Sequence, residues 1–278
     1  MVSMRIDYQC GSFSPGYVKL LRAYADQLCS AYFIRRLEGF IHNLNGPLQI
    51  LWLRSEQIEK EIGGFRGMVD QTAKEGYDAL SRRLGERVDS FVKAFRQLDD
   101  SLKFVTKDGV SRCRRGPEAL SMHDVLSDVL FLMRADMFFK HQVEVNLVSE
   151  DKPAQVYAQH HYLCALFLSL IQNGLEAMVN SDVRRLLIEV NASEDKVVTH
   201  VRDTGCGVDE RHIDRLFDLF FTTKNGQEYN GELIKHDGLG LPLVSVLASD
   251  YKGTIAFETS GDNTTFSIEL PAYPMPTR

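Results

Sequence analysis

No apolar run among the 278 residues approaches the roughly 20 needed to cross a bilayer. The opening MVSMRIDYQCGSFSPG lacks the apolar core and cleavage site of a signal peptide. Both absences point to a cytoplasmic protein with no membrane span. Metal-type cysteine pairs are missing as well: Cys10, Cys29, Cys113, Cys164 and Cys206 are an odd number at scattered positions, as expected of reduced thiols in a cytosolic chain. Positive charge is not in excess, since 32 Lys and Arg face 38 Asp and Glu, and a net charge of -6 offers no field to draw nucleic acid. There is no internal repeat and no low-complexity tract. What remains is a chain 44% apolar and 10% aromatic, long enough for two domains with ordinary cores.

The first half reads as helix. Ser14 and Pro15 supply a capping hydroxyl and a proline suited to a first helical position, and no breaker follows until Pro47, so a helix is expected from about 15 to 62. Apolar residues at Ile34, Leu37, Ile41, Leu44, Leu48, Leu51, Ile58 and Ile62 step by three and four, with Ser55 alone breaking the register. Gly63, Gly64 and Gly67 interrupt the pattern, and Leu84, Val88, Phe91, Phe95, Leu98, Leu102 and Val105 resume it. A hairpin with one apolar stripe per helix cannot enclose a core, so residues 15–105 are expected to pair with a second copy as a four-helix bundle, a homodimer, after an N-terminal extension 1–14. His42 sits beside the seam, and Pro47 removes the amide that would bond the Asn43 carbonyl, loosening the backbone one turn later. A lone helical histidine is ordinarily a solvated surface residue; the downstream sequence gives this one another meaning.

Residues 106–120, TKDGVSRCRRGPEAL, are rich in turn residues and positive charge and read as a linker. Arg112, Arg114 and Arg115 there are either solvated or contacts for phosphate or acidic partners. Beyond it come a helix capped by Ser121, an alternating strand through Val143, Val145 and Leu147, an apolar helix over 160–179 and β-rich runs at Leu186 to Asn191 and Lys196 to Arg202. A helix near 209–217, another near 240–250 and strands around 254–259 and 264–270 finish an α/β sandwich over 121–273. The fold class is therefore α+β, a helical hairpin followed by an α/β sandwich.

Four motifs in the second half carry chemistry. Asn173 and Glu176 lie on one face of the apolar segment LCALFLSLIQNGLEAM, either on a surface turn or aimed into one cavity, where an amide oxygen and a carboxylate suit Mg²⁺ and its waters. Asp203-Thr204-Gly205-Cys206-Gly207 follows a strand; its glycines permit close backbone approach and its carboxylate can accept from an exocyclic amine such as adenine's. Phe217 to Lys224, FDLFFTTK, adds apolar packing, hydroxyls and a cation. Asp237-Gly238-Leu239-Gly240-Leu241 is glycine-rich and opens a helix, a phosphate cradle.

Their order resembles that of the sensor histidine kinases of two-component systems, over about Ile34 to Pro271. His42 with Pro47 is similar to the phosphoacceptor histidine box, LSLIQNGLEAM to the N box, DTGCGVD to the G1 box, LFDLFFTTK to the F box and DGLGLPLV to the G2 box with its leading glycine replaced. The resemblance implies a dimeric phosphoacceptor hairpin and a Bergerat-type ATP domain of the gyrase and histidine-kinase type. It implies ATP and Mg²⁺ as cofactors, with Asn173 as the metal ligand and Asp203 reading adenine. Glu176, Gly205, Gly207, Phe220, Thr222, Thr223, Lys224, Gly238, Leu239, Gly240 and Leu241 would complete the ATP site, Asn225 to Asp237 the mobile lid, and His42 with Asn43 the catalytic pair. The partner implied is a response-regulator receiver domain.

Three departures stand out. Asn43 replaces the acid that usually follows the histidine, Gly46 replaces a Thr or Asn common four residues after it, and Ser169 and Gly174 replace an Asn and an Ala of the N box. The reading is thus a soluble kinase that autophosphorylates on His42 and passes the phosphoryl group to a regulator aspartate. Two rivals stand beside it: a docking protein that keeps the fold without transferring phosphate, and a mechanical ATPase like gyrase or the mismatch-repair proteins.

Overall fold

The structure, a computed structural model of the chain, describes residues 4–8, 13–32, 116–134, 136–150, 154–224, 228–229, 232–233, 237–261 and 263–273, together with positions 53, 56–58, 60, 82, 86, 88–90, 92 and 93. The chain divides into two compact units, residues 1–33 with 112–278, and residues 34–111. In the second unit the described positions are all helical, with Lys60 and Glu56 paired at 3.1 Å one turn apart. His42, Asn43, Gly46 and Pro47 lie outside the described residues.

The first unit is built on a six-stranded sheet in the order β1-β9-β10-β6-β5-β3. Its strands are β1 (Met4–Tyr8), β3 (Glu144–Ser149), β5 (Arg185–Ala192), β6 (Lys196–Asp203), β9 (Thr254–Ser260) and β10 (Asn263–Pro271), all antiparallel to their neighbours except the parallel pair β3 and β5. Two small ribbons join β2 (Glu118–Ser121) to β4 (Gln155–Ala158) and β7 (Glu228–Tyr229) to β8 (Glu232–Leu233). Alternation decides which face is covered: Leu186, Ile188 and Val190 on β5 and Val197, Thr199, Val201 and Asp203 on β6 are buried, while the residues between them are less so.

Among the described residues five α-helices complete the unit, four of them C-terminal to residue 116. Helix α2 (Met122–Met133) begins where Ser121 Oγ accepts the Asp124 amide at 3.3 Å, and α3 (Met137–Gln142) where Asp136 accepts that of Phe139 at 2.9 Å. Helix α4 (His160–Ala177) is apolar around most of its circumference and is the central helix, in contact with α2, β6 and α5 (Gly240–Asp250). The strand near Val145, the helices at 160 and 240 and the four later strands stand within a residue or two of where the hydrophobic pattern puts them.

The N-terminal segment departs from expectation. Residues 4–8 form an edge strand of the sheet instead of an extension, and the helix α1, over 15–32, packs within this same unit. Leu21, Ala25 and Cys29, four residues apart, are buried in its core. The Arg22 guanidinium donates to both carboxylate oxygens of Asp250 at 2.7 and 3.0 Å, and Cys29 Sγ donates to the His161 carbonyl at 3.1 Å. Residues 118–120, expected in the linker, pair with β4. These boundaries moved because apolar residues at helical spacing specify a buried face without specifying what buries it.

Candidate functional site

One cavity of about 490 Å³ opens where the C-terminal half of α4, the end of β6 and the start of α5 converge, a size usual for small-molecule sites. Asn173, Glu176, Asp203, Gly207, Thr222, Thr223, Lys224, Gly238, Leu239, Gly240 and Leu241 line it together. Gly205 and Phe220 do not.

Asp203 is 3% exposed at the end of β6, and its Oδ1 accepts the Gly205 amide at 2.9 Å. Burial pushes its carboxyl up to about 6, against the pull of the Gly205 N–H and the Lys224 charge. Gly205 is needed for protein packing, since a Cβ there would lie 2.5 Å from that of Ala177, and the next amide, of Cys206, donates to the Ala177 carbonyl at 3.1 Å. Gly207 has φ +71°, and a Cβ on it would meet the Gly261 carbonyl oxygen at 2.4 Å. The glycines of this turn thus admit neighbouring protein atoms, and Gly207 lines the cavity as well.

Phe220 stands away from the cavity lining. It holds φ +65°, donates its amide to the Gly238 carbonyl at 3.0 Å and is 59% exposed as a residue. The ring at the cavity is that of Phe221, with the Arg215 guanidinium 4.4 Å from its centroid and the His212 ring at 5.5 Å. Across the turn from Phe220, Gly238 has φ +63° and no room for a Cβ, which would sit 2.4 Å from the Phe220 carbonyl carbon.

Lys224 and Glu176 are already paired with each other. Lys224 Nζ donates to Glu176 Oε2 at 3.2 Å and to the Asn173 carbonyl at 2.8 Å, while Gln172 Nε2 donates to Glu176 Oε1 at 2.8 Å. Glu176 therefore serves as the counter-ion of Lys224, which differs from the expected role of offering its carboxylate to a metal. Asn173 and Ser169 are the side chains nearest the start of α5. The Ser169 hydroxyl is buried without a hydrogen-bond partner among the described residues, and a Cβ built on Gly240 meets only Asn173 Nδ2 at 3.8 Å and Ser169 Cβ at 4.0 Å. That leaves open space between Asn173, Ser169 and the N-terminus of α5. Among the described residues no group of three His, Cys, Asp or Glu side chains is placed to hold a metal, so an ion here would need phosphate oxygens and waters to complete its shell.

Sequence reasoning missed Tyr24, Leu28 and Tyr32 of α1, all of which line the cavity. It also missed Gln172, Asp209 and His212. The last two follow the glycine turn closely and are signalled by that proximity; the α1 residues carry no local signal. The ribbon β7–β8 falls within the expected lid, and there Tyr229 donates to Asp136 Oδ2 at 2.9 Å.

Residues 159–274 match the family described as histidine kinase-, DNA gyrase B-, and HSP90-like ATPase. The sensory histidine kinase/phosphatase NtrB of Rhizobium leguminosarum bv. phaseoli is 26% identical over 235 residues, covering 78% of this chain and 56% of that protein. NtrB of Azospirillum brasilense is 22% identical over 258 residues, 86% of this chain and 60% of its own. The chain thus spans a little over half the length of these curated relatives. Among solved structures, the catalytic domain of histidine kinase ThkA covers 57% of this chain and 97% of its own at 21% identity, with a TM-score of 0.48. The ATPase domain implies that the chain binds ATP.

Proposed function

We propose that this chain, whose residues 159–274 match the histidine kinase-, DNA gyrase B-, and HSP90-like ATPase family and which is similar to sensory histidine kinases over most of its length, is a soluble, cytoplasmic, homodimeric sensor histidine kinase. It would bind Mg-ATP, autophosphorylate on His42 and pass the phosphoryl group to an aspartate of a response-regulator receiver domain. The observation that carries the reading is the shared cavity of Asp203, a buried carboxylate, and Gly238-Leu239-Gly240, a cradle at a helix N-terminus. One end suits an adenine amine and the other a phosphate chain.

In this reading Asp203 accepts from the adenine amino group, and the amides at the start of α5 point at the phosphates. Asn173 and Ser169 would hold the metal, which would supply positive charge against the phosphates. Lys224 exchanges part of its contact with Glu176 for phosphate, and Thr222 and Thr223 offer hydroxyls beside it. His42 is the nucleophile, and Asn43 orients its ring without adding negative charge. In phosphoryl transfer the protein's contribution is chiefly positioning and charge stabilisation.

Calorimetry of ATP binding to the wild type and to Asp203→Ala tests the nucleotide site. Loss of binding with the fold retained supports it, and unchanged affinity removes Asp203 from it. Asn43 and Gly46 favour a second reading, a kinase-impaired dimer that docks a regulator or another kinase. Steady ATP turnover with no phosphoprotein would instead favour a mechanical ATPase.

A further inference from the structure

Helix α1 enters the cavity by a regular device. Leu21, Ala25 and Cys29 form its buried stripe, and Tyr24, Leu28 and Tyr32, each three residues further on, form the stripe that lines the cavity. Three residues of α-helix advance 300°, so the second stripe lies about 60° from the first along its whole length. A motion that lifts one stripe off its neighbours lifts the other.

The C-terminal end of α1 reaches the charged groups of the site. Tyr32 OH donates to Gln172 Oε1 at 2.8 Å, Gln172 Nε2 donates to Glu176 Oε1 at 2.8 Å, and Lys224 Nζ donates to Glu176 Oε2 at 3.2 Å. The hydroxyl of Tyr32 holds the Gln172 amide with its nitrogen toward the buried carboxylate, and that carboxylate fixes the cavity's lysine. Nearer the middle of the helix, the Tyr24 hydroxyl has no hydrogen-bond partner among the described residues. Burial and the nearby charges of Asp237 and Glu176 raise its phenol, so it remains a donor. At the other end, the twofold Arg22–Asp250 contact and the 3.5 Å approach of His161 Nε2 to Asp26 pin α1 outside the cavity.

We propose that α1 is a wall of the nucleotide site whose docking is linked to occupancy, with Tyr32 positioning Lys224 through Gln172 and Glu176. The proposal rests on the ATP reading above. Linkage is reciprocal: nucleotide that touches this wall and the lysine it positions holds α1 down, and loosening α1 weakens the nucleotide by the same factor. About 490 Å³ remains open with α1 in place, within the range of small-molecule sites, so wall and ligand are accommodated together.

The test is hydrogen exchange on the full chain with and without adenylyl imidodiphosphate and Mg²⁺, run beside calorimetry of the same ligand. Bound nucleotide should slow exchange across residues 15–32. Tyr32→Phe keeps the ring and removes the hydroxyl, so it should weaken the nucleotide about three- to tenfold, the usual range for one net hydrogen bond, and reduce the slowing in α1. Tyr17→Phe, on the exposed side of the same helix, should do neither. Nucleotide that binds with exchange in α1 unchanged or faster, or that binds Tyr32→Phe as tightly as wild type, overturns the proposal and leaves the ATP reading standing. Absence of any binding heat in the wild type overturns both.

Discussion

Glu176 and Lys224 meet at 3.2 Å with very unequal access to water, the glutamate side chain 2% exposed and the lysine 25%. Removing either partner therefore has different consequences. Lys224→Met leaves a buried carboxylate without its counter-ion, a loss of about 3–5 kcal/mol for such a pair. Glu176→Gln leaves a lysine that can turn to solvent and should cost less than half as much. Urea unfolding of both variants and of the double variant checks the asymmetry, and equal single losses that simply add would contradict it.

Asp203 should make stability fall as pH rises. Its carboxyl titrates near 3.8 when unfolded and at about 6 in the fold, so between those values the folded state binds the extra proton. The favourable contribution is complete below about pH 4 and is lost as pH rises through about 6, amounting to about 3 kcal/mol at 1.36 kcal/mol per unit. Asp203→Asn keeps an oxygen for the Gly205 amide and removes the titration. The apo variant should gain on the wild type between pH 4 and 6 and hold that gain above, while losing ATP affinity. A stability difference that does not change with pH would contradict the assignment.

Leu21 lies outside the matched ATPase residues in sequence yet is fully buried in the core that contains them. Leu21→Ala should destabilise that unit by about 2–5 kcal/mol, the range for deleting a buried leucine side chain. Near-ultraviolet circular dichroism during denaturation reads it, and a loss under about 0.5 kcal/mol, the range for surface substitutions, would mean that α1 is not part of the core.

Much of the sandwich was legible because its elements bury one face each. Leu186, Ile188 and Val190 alternate in a way that only a half-buried strand explains, and the segment containing Asn173 is too apolar for anything but a central helix. The motif residues around Asp203, Lys224 and Gly240 were legible as chemistry. Their partners were not. Glu176 reads from sequence as a metal-type carboxylate, and only the fold reveals Gln172 and Lys224 on its two oxygens. Adjacent Phe220 and Phe221 are indistinguishable until the left-handed backbone at Phe220 turns its ring outward. Strand β1 has five residues and pairs with β9 some 250 positions later, a contact that local pattern does not encode.

Gly205→Ala should be destabilising for reasons of packing. Its Cβ would lie 2.5 Å from Ala177 Cβ and 2.8 Å from the Ala177 carbonyl carbon, so the end of α4 must move. A cost of about 1–3 kcal/mol is expected for overpacking of this kind, with nucleotide affinity falling through displaced Asp203. Thermal unfolding with calorimetry measures both, and an unchanged midpoint would show that the turn has room.

The central claim is that ATP held in this cavity gives its γ-phosphoryl group to His42. Incubating the full chain with γ-labelled ATP and Mg²⁺, in the wild type, His42→Ala and Asn43→Asp, tests it most directly. The account predicts slow, acid-labile label on the wild type, none on His42→Ala, and labelling about tenfold faster or more in Asn43→Asp, because a carboxylate beside the ring supplies the charge that positioned acid–base groups typically contribute. Label that persists in His42→Ala, or bound ATP that leaves no label on any of the three, would contradict it.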